Sequence, residues 1–209
     1  CLGLWGRPAT GLITVQPSWQ FLALHLEERQ LKAALCNFSG QIVAASQSAL
    51  AATDNASLAT GILQACQDFF SQYSQCLERI AAITLTLPGV IDSERGVICS
   101  AREYPVRDLP LANLIWQKTG LSLLLQQDVR AQALAEYYFG EQAGAKELLY
   151  VSISEHIDVA VITGGQLLAT AAGNAPQLGY LLSPPEGTAG RECLHRFITR
   201  SALASHCLL

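Results

Sequence analysis

The chain has 209 residues, of which 50% are hydrophobic and 14% are charged, and its formal net charge is −4. This composition excludes wholesale disorder, and 13 Lys and Arg against 17 Asp and Glu do not indicate the basic surface that nucleic-acid binding requires. No apolar run reaches the roughly 18 residues of a membrane-spanning helix. The seven cysteines are odd in number and form no Cys-x-x-Cys pair, which indicates a reducing cytoplasm rather than a disulfide framework.

The first half of the chain predicts three strands, then a helix, then another strand. In residues 21–46, apolar residues alternate along two segments, and Gly40 lies where a hairpin needs a turn. From Asn55 to about Gln75, apolar residues recur every three or four positions, which is typical of an amphipathic helix. Residues 80–89 form a continuous apolar run that ends in Pro-Gly, as expected of a buried central strand.

The second half alternates further strands and helices, which indicates an α/β fold. The predicted elements are strands at 96–101, 121–127 and 147–153, helices at 110–120 and 128–140, and a hairpin at 159–170. Asp128 is the predicted N-cap of the second of these helices, and Gly140 is predicted at its C′ position. From residue 175 onward the sequence is rich in turn residues, with one helix predicted near 191–203.

Several segments resemble the ROK family, which takes its name from repressors, open reading frames and kinases. They are "ITLTLPGVIDSERGVI" (83–98), "LLLQQDVRAQALAEYYFGEQAGAKELLYVSI" (123–153), "GGQLL" (164–168) and "QLGY" (177–180). The resemblance implies an α/β fold of actin/hexokinase-like (ribonuclease H-like) lobes, with mixed β-sheets flanked by helices and a sugar bound between the lobes.

The same resemblance implies a domain organisation. Residues 1–10 correspond to a linker from a winged helix-turn-helix domain that would precede this chain, because "GRPATGL" (6–12) resembles the linker of the family's repressors. Residues 11–122 correspond to the first lobe and residues 123–209 to part of the second.

Two glycine-rich loops hold the nucleotide phosphates in the family's kinases, because bare backbone N–H groups can approach the phosphates closely. The first loop has the form Asp-x-Gly-Gly-Thr, and "HLEER" (25–29) stands in its place here. The second would lie in residues 154–162, which contain no glycine. The hypothesis is that neither ATP nor another cofactor binds and that no residue is catalytic. We interpret Glu27–Arg29 as an ordinary solvated turn.

The resemblance also identifies candidate sugar-binding residues. Asp128 corresponds to the kinases' general base and follows Gln127, while Pro88 and Gly89 correspond to a loop at the mouth of the sugar cleft. Gln177 stands where the family has a sugar-binding Glu. Other interpretations remain open, since Asp128 could act only as a helix cap and the Pro-Gly pair only as a strand-ending turn.

The family's zinc site is predicted to be lost. Tyr180 stands where the family has a zinc-binding His, and Cys193 alone remains of the family's cysteines. Together with His195 it supplies two ligands at most, whereas structural zinc takes four.

These features favour a transcriptional regulator of the ROK family over a sugar kinase. The predicted partners are a sugar or sugar phosphate, a second copy of the chain in a homo-oligomer, and DNA only through the preceding domain. The alternatives are a ROK-family sugar kinase and a domain that serves for assembly alone.

Overall fold

The computed structural model describes residues 19–74, 79–141, 143–154, 156–168, 174–176, 178–183, 192–194 and 198–199. Within these ranges the chain has the predicted mixed α/β architecture of sheets flanked by helices. None of the helices in these ranges combines the length and the apolar character needed to cross a membrane.

A five-stranded sheet is the largest sheet of the described fold. Its strands are β1 (Gln20–Glu27), β2 (Gln30–Asn37), β3 (Ile42–Ala49), β4 (Ile80–Leu87) and β8 (Leu123–Gln127). The spatial order is β3-β2-β1-β4-β8. The first three strands form an antiparallel meander, as their alternating pattern predicts, whereas β4 runs parallel to both β1 and β8.

The buried residues form two hydrophobic clusters: the larger is centred on the five-stranded sheet and its helices, and the smaller consists of Val129, Ala133, Ala160 and Ala175. The described helices are α1 (Asn55–Gln72), α2 (Leu111–Thr119) and α3 (Asp128–Phe139). Leu35 and Leu85 of the sheet are fully buried, as is Ile62 of α1. α1 begins with a capping box, in which the Asp54 carboxylate accepts a hydrogen bond from the Ser57 backbone N–H at 2.7 Å. Burial of this amphipathic face is what stabilises α1, as its period predicts.

Two smaller sheets complete the fold. Their strands are β5 (Gly89–Asp92), β6 (Val97–Ala101), β7 (Arg107–Leu109), β9 (Leu148–Ile153), β10 (Ile157–Thr163) and β11 (Gln166–Leu167). Strands β5-β6-β7 are antiparallel and are called the arm below; β9-β10-β11 are called the second sheet. α3 packs against β9 and β10. A short pair, β12 (Leu182–Ser183) and β13 (Glu192–Cys193), follows.

Most of the predicted elements are confirmed, with three differences. Asp128 is the first residue of α3 and not its N-cap, which is Gln127 in an extended conformation. Gly140 has φ −80° and not the left-handed conformation of a C′ glycine; the absence of a side chain matters there because a Cβ would collide with Glu136. The predicted helix near 191–203 is wrong at its start, where Glu192–Cys193 is a strand.

The predicted lobe boundary between residues 122 and 123 stays a prediction, but it would separate β8 from its sheet. The hydrogen bonds of β8 place it beside β4 in the five-stranded sheet. The chain reaches the second sheet only after α3. The predicted linker at residues 1–10, and most of the segment 191–203, lie outside the described residues.

The turn between β1 and β2 has an unusual composition for its geometry. Glu28 and Arg29 have φ of 51° and 57°, the left-handed region that favours glycine. Both are exposed, and the backbone carbonyl of Arg29 accepts a hydrogen bond from the Leu50 N–H at 2.8 Å. The solvated turn predicted at this point is therefore confirmed.

We expect Arg29→Gly to stabilise the protein by about 0.5–1 kcal/mol, because glycine adopts a positive φ without steric cost. The greater conformational entropy of glycine in the unfolded chain offsets only part of this gain. Urea unfolding monitored by circular dichroism measures the change. Arg95→Gly, at an exposed residue whose φ is not positive, is the matched control and should not stabilise. Equal effects of the two substitutions would contradict the strain at residue 29.

Candidate functional site

The carboxyl ends of three parallel strands meet at one edge of the five-stranded sheet. β1 ends at Glu27, β4 ends at Leu87 and β8 ends at Gln127. The residues that follow these ends therefore lie close together, and ligands bind at such edges in many α/β proteins. Here Pro88 and Asp128 line a cleft whose other walls are the arm and the second sheet.

The cleft is small and rich in carboxylates. Its cavity is about 20 Å³, which is room for about one water molecule. Five carboxylates and one guanidinium line it, namely Glu27, Glu28, Glu103, Asp128, Asp158 and Arg102. Convergence of titratable groups makes this cleft the candidate functional site.

A larger depression of about 550 Å³ lies on the face of the five-stranded sheet that α1 and α2 leave uncovered. Its floor is a row of small side chains, Ala23, Ala34 and Ala45, which pair across β1, β2 and β3. His25 and Lys32 are the titratable groups that line it. We favour the cleft despite its smaller volume, because far more charged groups converge there.

The Asp128 carboxyl has a raised pKa. Burial is the largest cause, since it disfavours the charged form, and the nearby Asp158 carboxylate adds to it. The Val129 backbone N–H, Arg102 and His25 act in the opposite direction and do not outweigh the burial. A carboxyl group of this kind, at the start of a helix and facing a cleft, is well suited to exchange hydrogen bonds with a hydroxyl group.

Arg102 and Asp158 form a bidentate ion pair across the cleft. Nη1 of Arg102 donates to Oδ2 of Asp158, and Nη2 donates to Oδ1. Their side chains are only 13% and 12% exposed. Burial alone would lower the pKa of the Arg102 guanidinium, but the hydrogen bonds and charge of Asp158, together with the charge of Asp128, raise it overall. The Arg102 guanidinium is therefore charged in this pair.

Of the Pro88-Gly89 pair, the proline lines the cleft and the glycine belongs to the arm. Pro88 lines the cleft, and its carbonyl oxygen accepts a hydrogen bond from the Arg102 backbone N–H at 3.3 Å. Gly89 begins β5 with φ 157°, and a Cβ there would collide with the carbonyl oxygen of Ser100. Close packing of β5 on β6 thus requires the glycine, whatever the cleft binds.

Gln127 acts as a buried bracket between three segments. Its side-chain amide donates to the Gly89 carbonyl oxygen and accepts from the Ala175 backbone N–H. The neighbouring Asn174 accepts a hydrogen bond from the Ile91 backbone N–H at 2.9 Å. These contacts join β8, the arm and the segment 174–176, so Gln127 positions the cleft rather than lining it.

Three polar residues at this site were missed by the sequence interpretation: the half-buried Arg102 and the buried Asp158 and Asn174. Asp158 did carry a signal, because a single charge within the apolar run "IDVAVI" needs a partner if the strand is buried. The sequence could not identify Arg102 as that partner, since the two lie 56 positions apart.

The remaining predicted site residues are less informative. Gln177 and His195 lie outside the described residues. Tyr180 is exposed, and Cys193 is a half-buried free thiol. Among the residues that the structure describes, no three His, Cys, Asp or Glu side chains are grouped so that they could hold a metal ion.

Comparisons with a family model and with known proteins agree on one family. The family model described as "ROK family" matches residues 22–207. The DNA-binding transcriptional repressor Mlc of Escherichia coli K12 is 32% identical over 183 residues, which are 87% of this chain and 45% of that protein. A glucokinase of Halalkalibacterium halodurans is 27% identical over 136 residues, which are 65% of this chain and 41% of the enzyme.

A solved structure agrees with these relatives. The crystal structure of a ROK family transcriptional regulator, a homolog of E. coli Mlc, superposes with a TM-score of 0.83 at 27% identity. The superposition covers 91% of this chain and 49% of that one. The chain thus spans about half the length of the relatives that it matches.

We expect Gln127→Ala to destabilise the protein by about 2–4 kcal/mol, because it leaves the Gly89 carbonyl and the Ala175 N–H buried without partners. Urea unfolding measures the loss. Gln117→Ala, on the exposed face of α2, is the matched control and should change stability by less than about 0.5 kcal/mol. A loss below about 1 kcal/mol for Gln127→Ala would mean that the bracket contributes little.

We expect Asp128→Asn to stabilise the protein at pH 7. Because the folded-state pKa of Asp128 is raised, ionisation costs stability as the pH rises from the ordinary value of 3.8 through the folded value, and the cost is complete above it. The advantage of the Asn variant should therefore disappear below pH 3.8. Thermal unfolding from pH 3 to pH 8 tests this, with the exposed Glu141→Gln as control. An Asn variant that is less stable than wild type at pH 7 would refute it.

Proposed function

This chain belongs to the ROK family, and we propose that it is the sugar-responsive body of a transcriptional regulator that performs no phosphoryl transfer. Its similarity to the Mlc repressor extends over 87% of the chain, against 65% for the glucokinase. The regulator of known structure superposes with a TM-score of 0.83, against 0.71 for a ROK hexokinase that covers 90% of the chain. The closer agreement with the regulators supports the regulator over the kinase.

The observation that carries the proposal is the charge and hydrogen bonding of the turn at residues 25–29. Its position corresponds to the first phosphate loop of the kinases, but Glu27 and Glu28 place carboxylates at the cleft. The backbone N–H of Arg29, which a phosphate would need, donates instead to the Glu103 carboxylate at 3.1 Å. A triphosphate would meet negative charge where it needs bare N–H donors.

Residues 154–162, which correspond to the second phosphate loop of the kinases, support the same proposal. Asp158 lies within residues 154–162 and is held by Arg102 in a buried ion pair. Phosphoryl transfer depends on positioned phosphates and charge stabilisation, and both are opposed by a carboxylate at this place. The cleft is therefore better suited to binding a ligand than to catalysing phosphoryl transfer.

Sugar binding is supported by Asp128, whose carboxyl faces the cleft and could accept a hydroxyl proton in a hydrogen bond. The effector would be a sugar or sugar phosphate, the assembly a homo-oligomer, and DNA contact would come from a preceding domain.

A cytoplasmic location fits the proposal, because the four cysteines that the structure describes are free thiols. The second candidate is a sugar kinase, which the retained Asp128 favours because the family's general base has this position. The charged turn weighs against it. A domain for assembly alone is the third candidate, and it predicts no response to any sugar.

We expect at least one sugar from a panel of hexoses, amino sugars and their 6-phosphates to raise the melting temperature by about 5–10 °C at a hundredfold excess over its Kd. Asp128→Asn should reduce that shift, whereas the exposed Glu141→Gln should leave it unchanged. Differential scanning fluorimetry measures both.

A coupled assay for ADP formation from ATP and each sugar separates the regulator from the kinase. We expect no turnover above the rate without protein. Measurable phosphorylation would refute the proposal and identify the protein as a sugar kinase. If no sugar shifted the melting temperature, assembly would remain as the function.

A further inference from the structure

The longest edge strand among the strands that the structure describes is β3. It has eight residues and lies at the end of the five-stranded sheet, where β2 is its one neighbour within the described ranges. Every residue of β3 except Ala44 is exposed. An edge of this length presents a row of backbone N–H and C=O groups on which another strand can pair.

The backbone groups that point away from the sheet belong to alternate residues of β3. The Leu50 N–H donates to the Arg29 carbonyl oxygen at 2.8 Å, so Leu50 directs its N–H towards β2. Backbone groups alternate in direction along an antiparallel strand, and those of Ala45, Gln47 and Ala49 therefore point outwards. The register shift in the pairing of β2 with β3 lies near the start of β3, so this alternation holds beyond it.

The features that usually keep an exposed edge from pairing are missing from β3. Such features are charged side chains, prolines and short strands. Residues 33–53, which include β3, contain no Asp, Glu, Lys, Arg, His or Pro. By contrast, the edge strand β7 of the arm has three residues, of which Arg107 and Asp108 are charged. β3 thus combines length, exposure and a lack of charge.

The sequence of β3 is complementary to itself. The segment "ASQSA" (45–49) reads the same in both directions. A two-fold axis beside an edge strand pairs that strand with its own copy in the antiparallel sense. With the axis at Gln47, this residue faces its counterpart, Ala45 faces Ala49, and Ser46 faces Ser48 of the other copy. The outward backbone groups then meet one another, small side chains oppose small ones, and no charges are brought together along the strand.

We propose that β3 pairs with β3 of a second copy of this chain about a two-fold axis at Gln47, so that the two five-stranded sheets become one continuous sheet. This inference specifies the homo-oligomer of the proposed function and rests on that function only for the expectation that the chain assembles. The exposed edge and the palindrome require no sugar. No residue that lines the cleft lies in β3, so the pairing leaves the cleft accessible.

Charge variants at residue 47 of the whole chain test the two-fold pairing. Gln47→Lys places two lysines opposite each other and Gln47→Glu places two glutamates, so each variant alone should raise the dissociation constant about fivefold or more. An equimolar mixture of the two should restore the wild-type constant, because a lysine then faces a glutamate. Gln67→Lys, on the exposed face of α1, is the matched control and should change nothing. Analytical ultracentrifugation measures the constants.

Lys32 lies opposite residue 47 within the same chain, so the charge variants can also alter the stability of the fold. Melting temperatures report that effect separately. Rescue in the mixture does not depend on it, because mixing changes the contact between copies and leaves the contact with Lys32 as it is.

A single-cysteine variant reports the position of the axis without adding charge. Opposed residues whose backbone groups bond each other have Cα atoms about 5.5 Å apart, which is within the range that a disulfide spans. Gln47→Cys should therefore give a disulfide-linked dimer under mild oxidation, above the level that the native cysteines give in wild type. Ser71→Cys, at an exposed position of α1, should stay at the wild-type level.

Each alternative result has a definite meaning. A monomeric wild type would overturn the proposal. Assembly that neither charge variant weakens would place the contact elsewhere, for example at β9, another uncharged edge strand, and would overturn it equally. Weakening by both variants without rescue in the mixture would exclude a two-fold axis at residue 47. Rescue in a protein whose melting temperature no sugar raises would uphold the pairing and defeat the sugar response of the proposed function.

Discussion

The parallel pairing of β1, β4 and β8 is the constraint on which the cleft depends. Leu85 pairs with Leu24 on one side and with Leu125 on the other, and all three side chains are at most 3% exposed. A slip of one residue in either pairing would turn a row of core leucines towards solvent. Burial thus fixes the register, and the register places Pro88 and Asp128 at the same edge.

The charged groups at this edge act on one another. The N-terminus of α3 favours negative charge at Asp128, yet burial and the Asp158 carboxylate together outweigh that help and raise its pKa. Arg102 compensates Asp158 directly and Asp128 at longer range. A cleft whose single guanidinium is already engaged has little attraction left for an anion.

Sequence patterns located the elements well and the contacts between them poorly. Period-two alternation and the apolar run at 80–89 predicted β1 to β4, because burial of one face leaves a local signature. The resemblance identified Pro88 and Asp128 as sugar-binding candidates; both line the cleft, and their contact with a sugar stays a prediction. The cap at Asp128 was misassigned by one residue, since Gln127 is extended although it has no capping side chain. Arg102 and Asp158 escaped prediction because their pairing depends on the relative position of two sheets, which no local pattern encodes.

The turn at Glu28–Arg29 meets the requirements of the fold but not those of a bound nucleotide phosphate. The hairpin between β1 and β2 needs two residues with positive φ, and the chain supplies them without glycine at some cost in strain. A phosphate would need the same conformation and also free N–H groups with no side chains nearby. Here the Arg29 N–H is bound to Glu103, which lies 74 positions further along the chain. The pairing of β1 with β2 thus accounts for the hairpin, and the Arg29 N–H donor attaches the turn to Glu103 beside the arm.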